Sequence, residues 1–275
     1  MKISIHMPAY NAEATIGSAL KSLLRQRDAG ELDIIVVDDG STDRTREVVA
    51  ALAARAPEIR LIGIDHGGIS KARNAALRAM APDTDLVGFL DADDLSPASR
   101  YAHDVELFEA DPALDLVYSK LRFFDREDPE TLAPSVSSRI LDERTVHLSA
   151  GLFRRRVLDR VGLFDESLAQ AEDTDYLLRI FERQPKHLLS DEIGVFYRKH
   201  RGGITENRVE AQRELMRAFF RAHRRCGRPF LPAGIVTMPS GREGLPHRRW
   251  ARKKARISSR RASTRFPVMP PLCLR

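Results

Sequence analysis

At 275 residues the chain is long enough for one large α/β domain or two smaller ones, and 43% hydrophobic with 31% charged residues marks a soluble globular protein with a substantial core. The formal net charge of +6 hides an asymmetry: from Arg242 onward eleven Lys/Arg stand against one acid, Glu243, a net of +10, while residues 1–241 carry 34 Lys/Arg against 38 Asp/Glu, a net of −4. No run approaches about 18 apolar residues, the opening "MKISIHMPAYNAEATI" is broken by His6 and Pro8, and Cys226 and Cys273 form no ligand or redox spacing. A membrane span, a signal peptide and a disulfide scaffold are therefore not expected, and the default setting is cytoplasmic.

In chain order, "KISIHM" (2–7) reads as a buried strand, after which Ile16, Ala19, Leu20, Leu23 and Leu24 recur at helical spacing. "LDIIVVD" (32–38) is the second strand, with Ser41 or Thr42 placed to cap a helix bearing Val48, Val49 and Leu52. "IRLIGID" (59–65) is the third, followed by two glycines and a helix over 70–80. "DLVGFLD" (85–91) is the fourth, and Ser96-Pro97 supplies a cap and a first-turn proline for the next helix. Four strand-then-helix units imply a mainly parallel sheet with right-handed crossovers.

The second half is less regular. A strand pair is expected over 115–125, a polar loop over 125–139, a helix with an acidic first turn from 172 to 183, a late strand over 192–200 and an amphipathic helix over 206–225. After about 227, turn residues and arginines dominate, so a loosely ordered basic extension is expected over 227–275.

In open α/β sheets ligands bind beyond the carboxyl ends of the strands. Here those ends carry Pro8-Ala9-Tyr10-Asn11, Asp38-Asp39, Asp65-His66 and Asp91-Ala92-Asp93-Asp94. Alternate residues of an extended segment share a face, so Asp91 and Asp93 can point at one hard cation; the other reading is an acidic turn with Asp94 or Ser96 as helix cap. Asp38 and Asp39 can accept hydrogen bonds from a base or ribose, or form a turn before a helix. Arg73 in "GGISKARN" can meet a diphosphate, or form a salt bridge to Asp91 or Asp39.

The ordered set "PAYN", "VVDDGSTD", "GGISKARN", "FLDADD", "GLFDE" and "AEDTDY" resembles the family 2 glycosyltransferases, inverting enzymes of the GT-A fold that use nucleotide-sugar donors. The resemblance spans roughly residues 1–205. It implies a GT-A type, Rossmann-like α/β domain with a mixed, mainly parallel sheet over 1–226, divided into a donor-binding half (1–115) and an acceptor and catalytic half (116–226). It further implies donor binding by Pro8, Ala9, Tyr10, Asn11, Asp38, Asp39, Arg73, Asp91 and Ala92, with Tyr10 at the base and Asp39 on its N–H. Asp93, with Asp91 and His200, would hold Mn²⁺ or Mg²⁺, and Asp173, beside Glu172, would be the general base. "GLFDE" is read as a turn positioning the base-bearing helix. "DHGG" departs from a commoner asparagine before the glycines, and residues 119–150 carry no pattern that identifies an acceptor.

The implied reaction moves a sugar from a UDP- or dTDP-linked donor to a hydroxyl of a saccharide or lipid-linked acceptor, in cell-surface polysaccharide or glycolipid assembly. The alternative is a catalytically silent nucleotide-sugar-binding scaffold of the same fold. Nucleotidyl transfer lacks its glycine-rich, lysine-bearing first loop, since the loop is "PAYNAE". Clustered cations with Trp250 over 242–265 read either as a solvated tail or as a binding segment, and in the second case peripheral contact with an anionic membrane stands ahead of nucleic acid.

Overall fold

The computed structural model describes residues 1–143, 147–168, 170–199 and 208–226, all within one compact unit over residues 1–230. The basic extension over 227–275 and His200 lie outside the described residues.

The sheet is built around β1 (Lys2–Ala9), flanked by β2 (Glu31–Asp38) and β4 (Leu86–Phe89), both parallel to it, with β3 (Ile59–Gly63) parallel to β2 at one edge. Ile34 and Val36 of β2 face the large core shared with α1 (Ile16–Leu24), while Ile35 and Val37 face Ala72 and Ala76 of α3 (Ile69–Ala79). A strand buried on both faces cannot alternate apolar with polar, which is why "IIVV" is continuous; each such side chain contributes about 1.5–3 kcal/mol on burial.

Beyond β4 the sheet changes direction. The order β10-β5-β9-β4-β1-β2-β3 places β9 (Gly151–Arg154) antiparallel between β4 and β5 (Leu116–Phe124), with β10 (His187–Arg198) parallel to β5. The expected mixed, mainly parallel α/β sheet flanked by helices is therefore present. The chain leaves β1 toward β2 and β3 and then crosses to β4 on the other side, which puts the switch point, and so the ligand crevice, at the carboxyl ends of β1, β2 and β4.

Several local expectations are corrected. α2 (Thr45–Ala53) takes no cap from Ser41 or Thr42; Asp43 accepts the Thr45 N–H at 2.9 Å, and Ser41 Oγ instead accepts the Asn11 N–H at 2.9 Å. α4 (Arg100–Ala110) starts three residues after Pro97, because Leu95 is bridged to the backbone of Phe196 and the Ser96 N–H donates to Ser22 Oγ at 2.9 Å. Residues 116–124 form one strand rather than a pair, and the polar loop contains a small hairpin, β6 (Glu127–Asp128) with β7 (Ala133–Pro134). β8 (Leu141–Glu143), β9 and α5 (Arg155–Val161) carried no legible signal. α6 (Glu172–Glu182) has the expected acidic first turn, and α7 (Arg208–Cys226) covers the last expected helix.

Candidate active site

The first loop and the loop after β2 are joined rung by rung. Asn11 Oδ1 accepts the Thr42 N–H at 2.8 Å, the Ala12 N–H donates to Thr45 Oγ1 at 2.7 Å, and the Glu13 N–H donates to Asp43 at 3.0 Å. The "GSTD" part of the motif thus holds "YNAE" in place. Pro8 and the buried Ala9 end β1, and Asn11 sits at φ 48°, which asparagine tolerates better than most residues. Tyr10 turns out of the sheet, 47% exposed, and its ring stacks on His66 with centroids 4.3 Å apart.

Asp38 and Asp39 are both buried, and each is engaged from within. Asp38 lies 3.1 Å from Arg46 Nε and accepts the Ser41 N–H at 3.3 Å. Asp39 accepts the N–H groups of Gly67 at 2.8 Å and Gly68 at 2.9 Å, one on each oxygen, and meets His66 Nδ1 at 2.9 Å. Gly68 stands at φ 89°, a conformation that favours glycine. The glycines therefore bring backbone donors to Asp39, and that carboxylate is fixed beside the Tyr10 and His66 rings.

The loop after β4 is built differently. Arg73, only 2% exposed, ion-pairs with Glu172 and donates to Asp91 Oδ1 at 3.0 Å, with its guanidinium 5.6 Å from the Phe164 ring. Of its alternative readings, the salt bridge is the one observed, to Asp91 rather than Asp39. It joins the loop after β4 to the first turn of α6, and so brings Asp91 and the "EDTD" acids together. Asn74, the next residue, donates to Phe164 O at 3.0 Å and accepts the Phe164 N–H at 2.7 Å, while Phe164 stacks on Tyr176 of α6 at 3.9 Å. "GLFDE" is accordingly a turn clamped between "ARN" and α6.

Asp173 is partly exposed, and its Oδ1 accepts the Thr174 N–H at 2.6 Å. Glu172 is buried, and burial raises its pKa to about 7 against the opposing charge of Arg73, with Asp173 and Asp91 adding repulsion.

Asp94 is 1% exposed; its Oδ1 accepts the Arg198 N–H at 2.9 Å, and its Oδ2 has no hydrogen-bond partner. Burial, with the negative charge of Asp93 and Asp91, pushes its carboxyl well above the ordinary range. It is not a helix cap. Ligand atoms of Asp91, Asp94 and His147 all lie within 4.8 Å of one another. His147 is set by Tyr118, whose hydroxyl donates to its carbonyl at 2.7 Å and accepts its N–H at 2.5 Å, and Arg100 donates to Ser149 O at 2.8 Å just beyond. Asp93, partly exposed, keeps its carbonyl bonded to Arg198 Nε at 2.8 Å and falls outside that trio, while Ala92 is buried behind the acids. Sequence reasoning missed Asp94 and His147 as potential ligands. In the sequence the first reads equally as part of an acidic turn or as a helix cap, and the second lies in a segment without a recognisable pattern.

The family model described as "Glycosyl transferase family 2" matches residues 4–162. The uncharacterized glycosyltransferase EpsJ of Bacillus subtilis (strain 168) is 32% identical over 221 residues, which is 74% of this chain and 63% of that protein. Chondroitin synthase of Escherichia coli is 30% identical over 191 residues, 68% of this chain and 27% of that one, so the chain spans less than two thirds of either relative. Among solved structures, S. aureus TarS 1-349 in complex with UDP-GlcNAc superposes with a TM-score of 0.61 at 25% identity, covering 75% of this chain and 61% of that one.

Proposed function

The chain belongs to glycosyl transferase family 2, and from that premise we propose that it transfers a sugar, with inversion, from a nucleoside-diphosphate donor, UDP- or dTDP-linked, to an acceptor hydroxyl in the assembly of a cell-surface polysaccharide or glycolipid. The observation that supports this reading is the Arg73 bridge, which joins Asp91 at the strand edge to Glu172 at the start of α6 and so brings Asp91 and Asp173 within electrostatic reach of one cation. A scaffold that only bound a nucleotide would have no need to hold Asp173 against that edge.

In this reading the base stacks at Tyr10, and the fixed Asp39 carboxylate, which keeps unused lone pairs, accepts its N–H. TarS, with UDP-GlcNAc bound, supports a uridine donor, and the chondroitin synthase supports a polysaccharide product. Asp173 takes the proton of the attacking hydroxyl, and the fixed, buried Glu172 holds the first turn of α6 in place. The donor set fits a divalent cation. Three oxygen and nitrogen ligand groups converge, one buried carboxylate oxygen is unpartnered, and burial with the neighbouring charge of Asp93 and Asp91 pushes the Asp94 carboxyl well above its ordinary range. Asp91 and Asp94 with His147, or Asp91 and Asp93 as the motif resemblance has it, would hold Mn²⁺ or Mg²⁺; such an ion supplies charge neutralisation for the departing diphosphate. Among the described residues no helix is long and apolar enough to cross a membrane, and peripheral contact through 242–265 remains part of the proposal.

The test is a thermal-shift panel of nucleotide sugars with and without Mn²⁺, followed by transfer assays on Asp173→Asn and Asp93→Ala. A Mn²⁺-dependent shift with one donor is expected, together with a loss of turnover of about 10²–10⁴-fold in Asp173→Asn with the donor shift retained. Unchanged turnover in both variants would sink the mechanism, and no shift with any donor would favour the scaffold.

A further inference from the structure

The outward face of α7 is unlike the solvated faces of the other helices. On its inner side Ala218 and Ala222 are fully buried, Arg221 pairs with Asp165, and Arg225 reaches Asp175 at 3.1 Å and Glu182 at 2.9 Å. On the opposite side Arg213, Met216, Arg217, Phe220, His223 and Arg224 recur at spacings of three and four, so they share an arc of about 120° on the helix. Met216 is 50% exposed and Phe220 59%, with Leu215 and Phe219 half-buried beside them.

The charge on that arc has one sign. Between residues 213 and 226 the sequence has a single acid, Glu214, and it is buried and paired with Arg217. An ordinary solvated helix mixes signs and keeps large apolar side chains inward. Here two large apolar side chains project at the centre of an arginine-rimmed, convex face.

We infer that this face of α7 is a docking surface for an anionic lipid bilayer. Phe220 and Met216 would enter the boundary between headgroups and acyl chains, and Arg213, Arg217 and Arg224 would meet lipid phosphates while their stems cover the apolar edge. The occupant follows from shape and charge. A plane of phosphates accepts a convex cationic ridge, whereas a second copy would set arginine against arginine. One helix face with two large apolar residues also falls well short of the roughly 800 Å² per partner of a stable protein interface. Because α7 packs on α6, whose first turn carries Glu172 and Asp173, docking would hold the candidate site one helix layer from the bilayer. The inference stands on described residues and is separate from the reading of 242–265.

The experiment is co-sedimentation of the full chain with vesicles of phosphatidylcholine mixed with phosphatidylglycerol, and with phosphatidylcholine alone. Binding to the mixed vesicles only, weakening with salt, is expected. Phe220→Ser with Met216→Ser should lower that affinity at least about tenfold, and Arg224→Gln, which leaves the Arg217–Glu214 pair intact, about fivefold. Val136→Ser, which removes a fully exposed apolar side chain elsewhere, should leave it unchanged. Circular dichroism and donor thermal shifts should match the native protein in every variant, which separates failure here from failure of the transferase reading. Native-like vesicle binding by both α7 variants would overturn the inference and place any attraction in the basic extension. Equal binding to neutral vesicles would overturn it as well, as would a native dimer that Phe220→Ser converts to monomer.

Discussion

Two acidic edges flank β1, and they are solved in opposite ways. After β2, Asp38 and Asp39 are met by Arg46, by the Ser41 N–H and by the N–H groups of Gly67 and Gly68. After β4, Asp91 is met by Arg73, but Asp94 is buried with one oxygen unpartnered and with Asp91 and Asp93 as like-charged neighbours. Adjacent aspartates at the end of an apolar strand therefore do not specify one chemistry. At the first edge the one oxygen without a hydrogen bond, Asp38 Oδ2, faces the charge of Arg46, so the edge can present a rigid acceptor; at the second the corresponding oxygen, Asp94 Oδ2, is buried beside like charges, which is the condition a cation site needs.

The largest way to break that contrast is Arg73→Met. It leaves Glu172 buried and Asp91 without this cation, and an uncompensated buried charge costs about 3–5 kcal/mol. Urea unfolding should register the loss, and adding Glu172→Gln should recover part of it because the stranded charge is gone. A cost below about 1 kcal/mol would mean that Arg73 does not hold the second edge together.

A smaller effect separates the edges directly. Asp39→Asn replaces one accepting oxygen by an amide NH2, so that one of the two glycine N–H groups faces a donor and loses its acceptor, at an expected cost of about 1–3 kcal/mol. Asp94→Asn keeps the oxygen that accepts the Arg198 N–H and removes like-charge repulsion, so without metal it should be neutral or stabilising, with any Mn²⁺-induced thermal shift reduced. Equal destabilisation by the two substitutions would erase the distinction.

The N-terminal half is the more legible because its pattern is local. "IIVVDDG" and "FLDADD" announce strand ends, and helical spacing placed α1 and α3 within a residue or two. The cap of α2 and the start of α4 were misplaced because distant partners decided them: Asn11 takes Ser41, and Phe196, 101 residues after Leu95, holds the segment before α4. The same cause hid His147. It reaches Asp91 and Asp94 only because antiparallel β9 runs back beside β4, a pairing with no local signature. Arg73 was legible as a charge near the site, yet its choice of Glu172 depends on α6 folding back from a hundred residues away.

The smallest predicted effect is a slope, and its sign sharpens the contrast further. Glu172 is raised from the usual glutamate value to about 7, and Asp94 is raised above the usual aspartate value, so the folded state holds protons that the unfolded chain has released. Such groups stabilise fully below their unfolded pKa, and the contribution is lost as pH rises through the folded pKa, at most about 1.4 kcal/mol per pH unit for one proton. His6 works the other way. Fully buried, it is held down to about 3, so the unfolded chain binds the extra proton, and its contribution is lost as pH falls from about 6.5 toward 3. The absolute stability of the native protein in chelator therefore mixes two opposing slopes between pH 4.5 and 6.5, and the informative quantity is a difference. Native stability minus that of Asp94→Asn with Glu172→Gln should fall steadily from about pH 4.5 to about 7, continuing above 6.5 where His6 is neutral in both states. Saturating Mn²⁺ should flatten or reverse the fall, since an ion on Asp94 competes with its proton. A difference that stays level in chelator would show that the second edge is as well neutralised as the first.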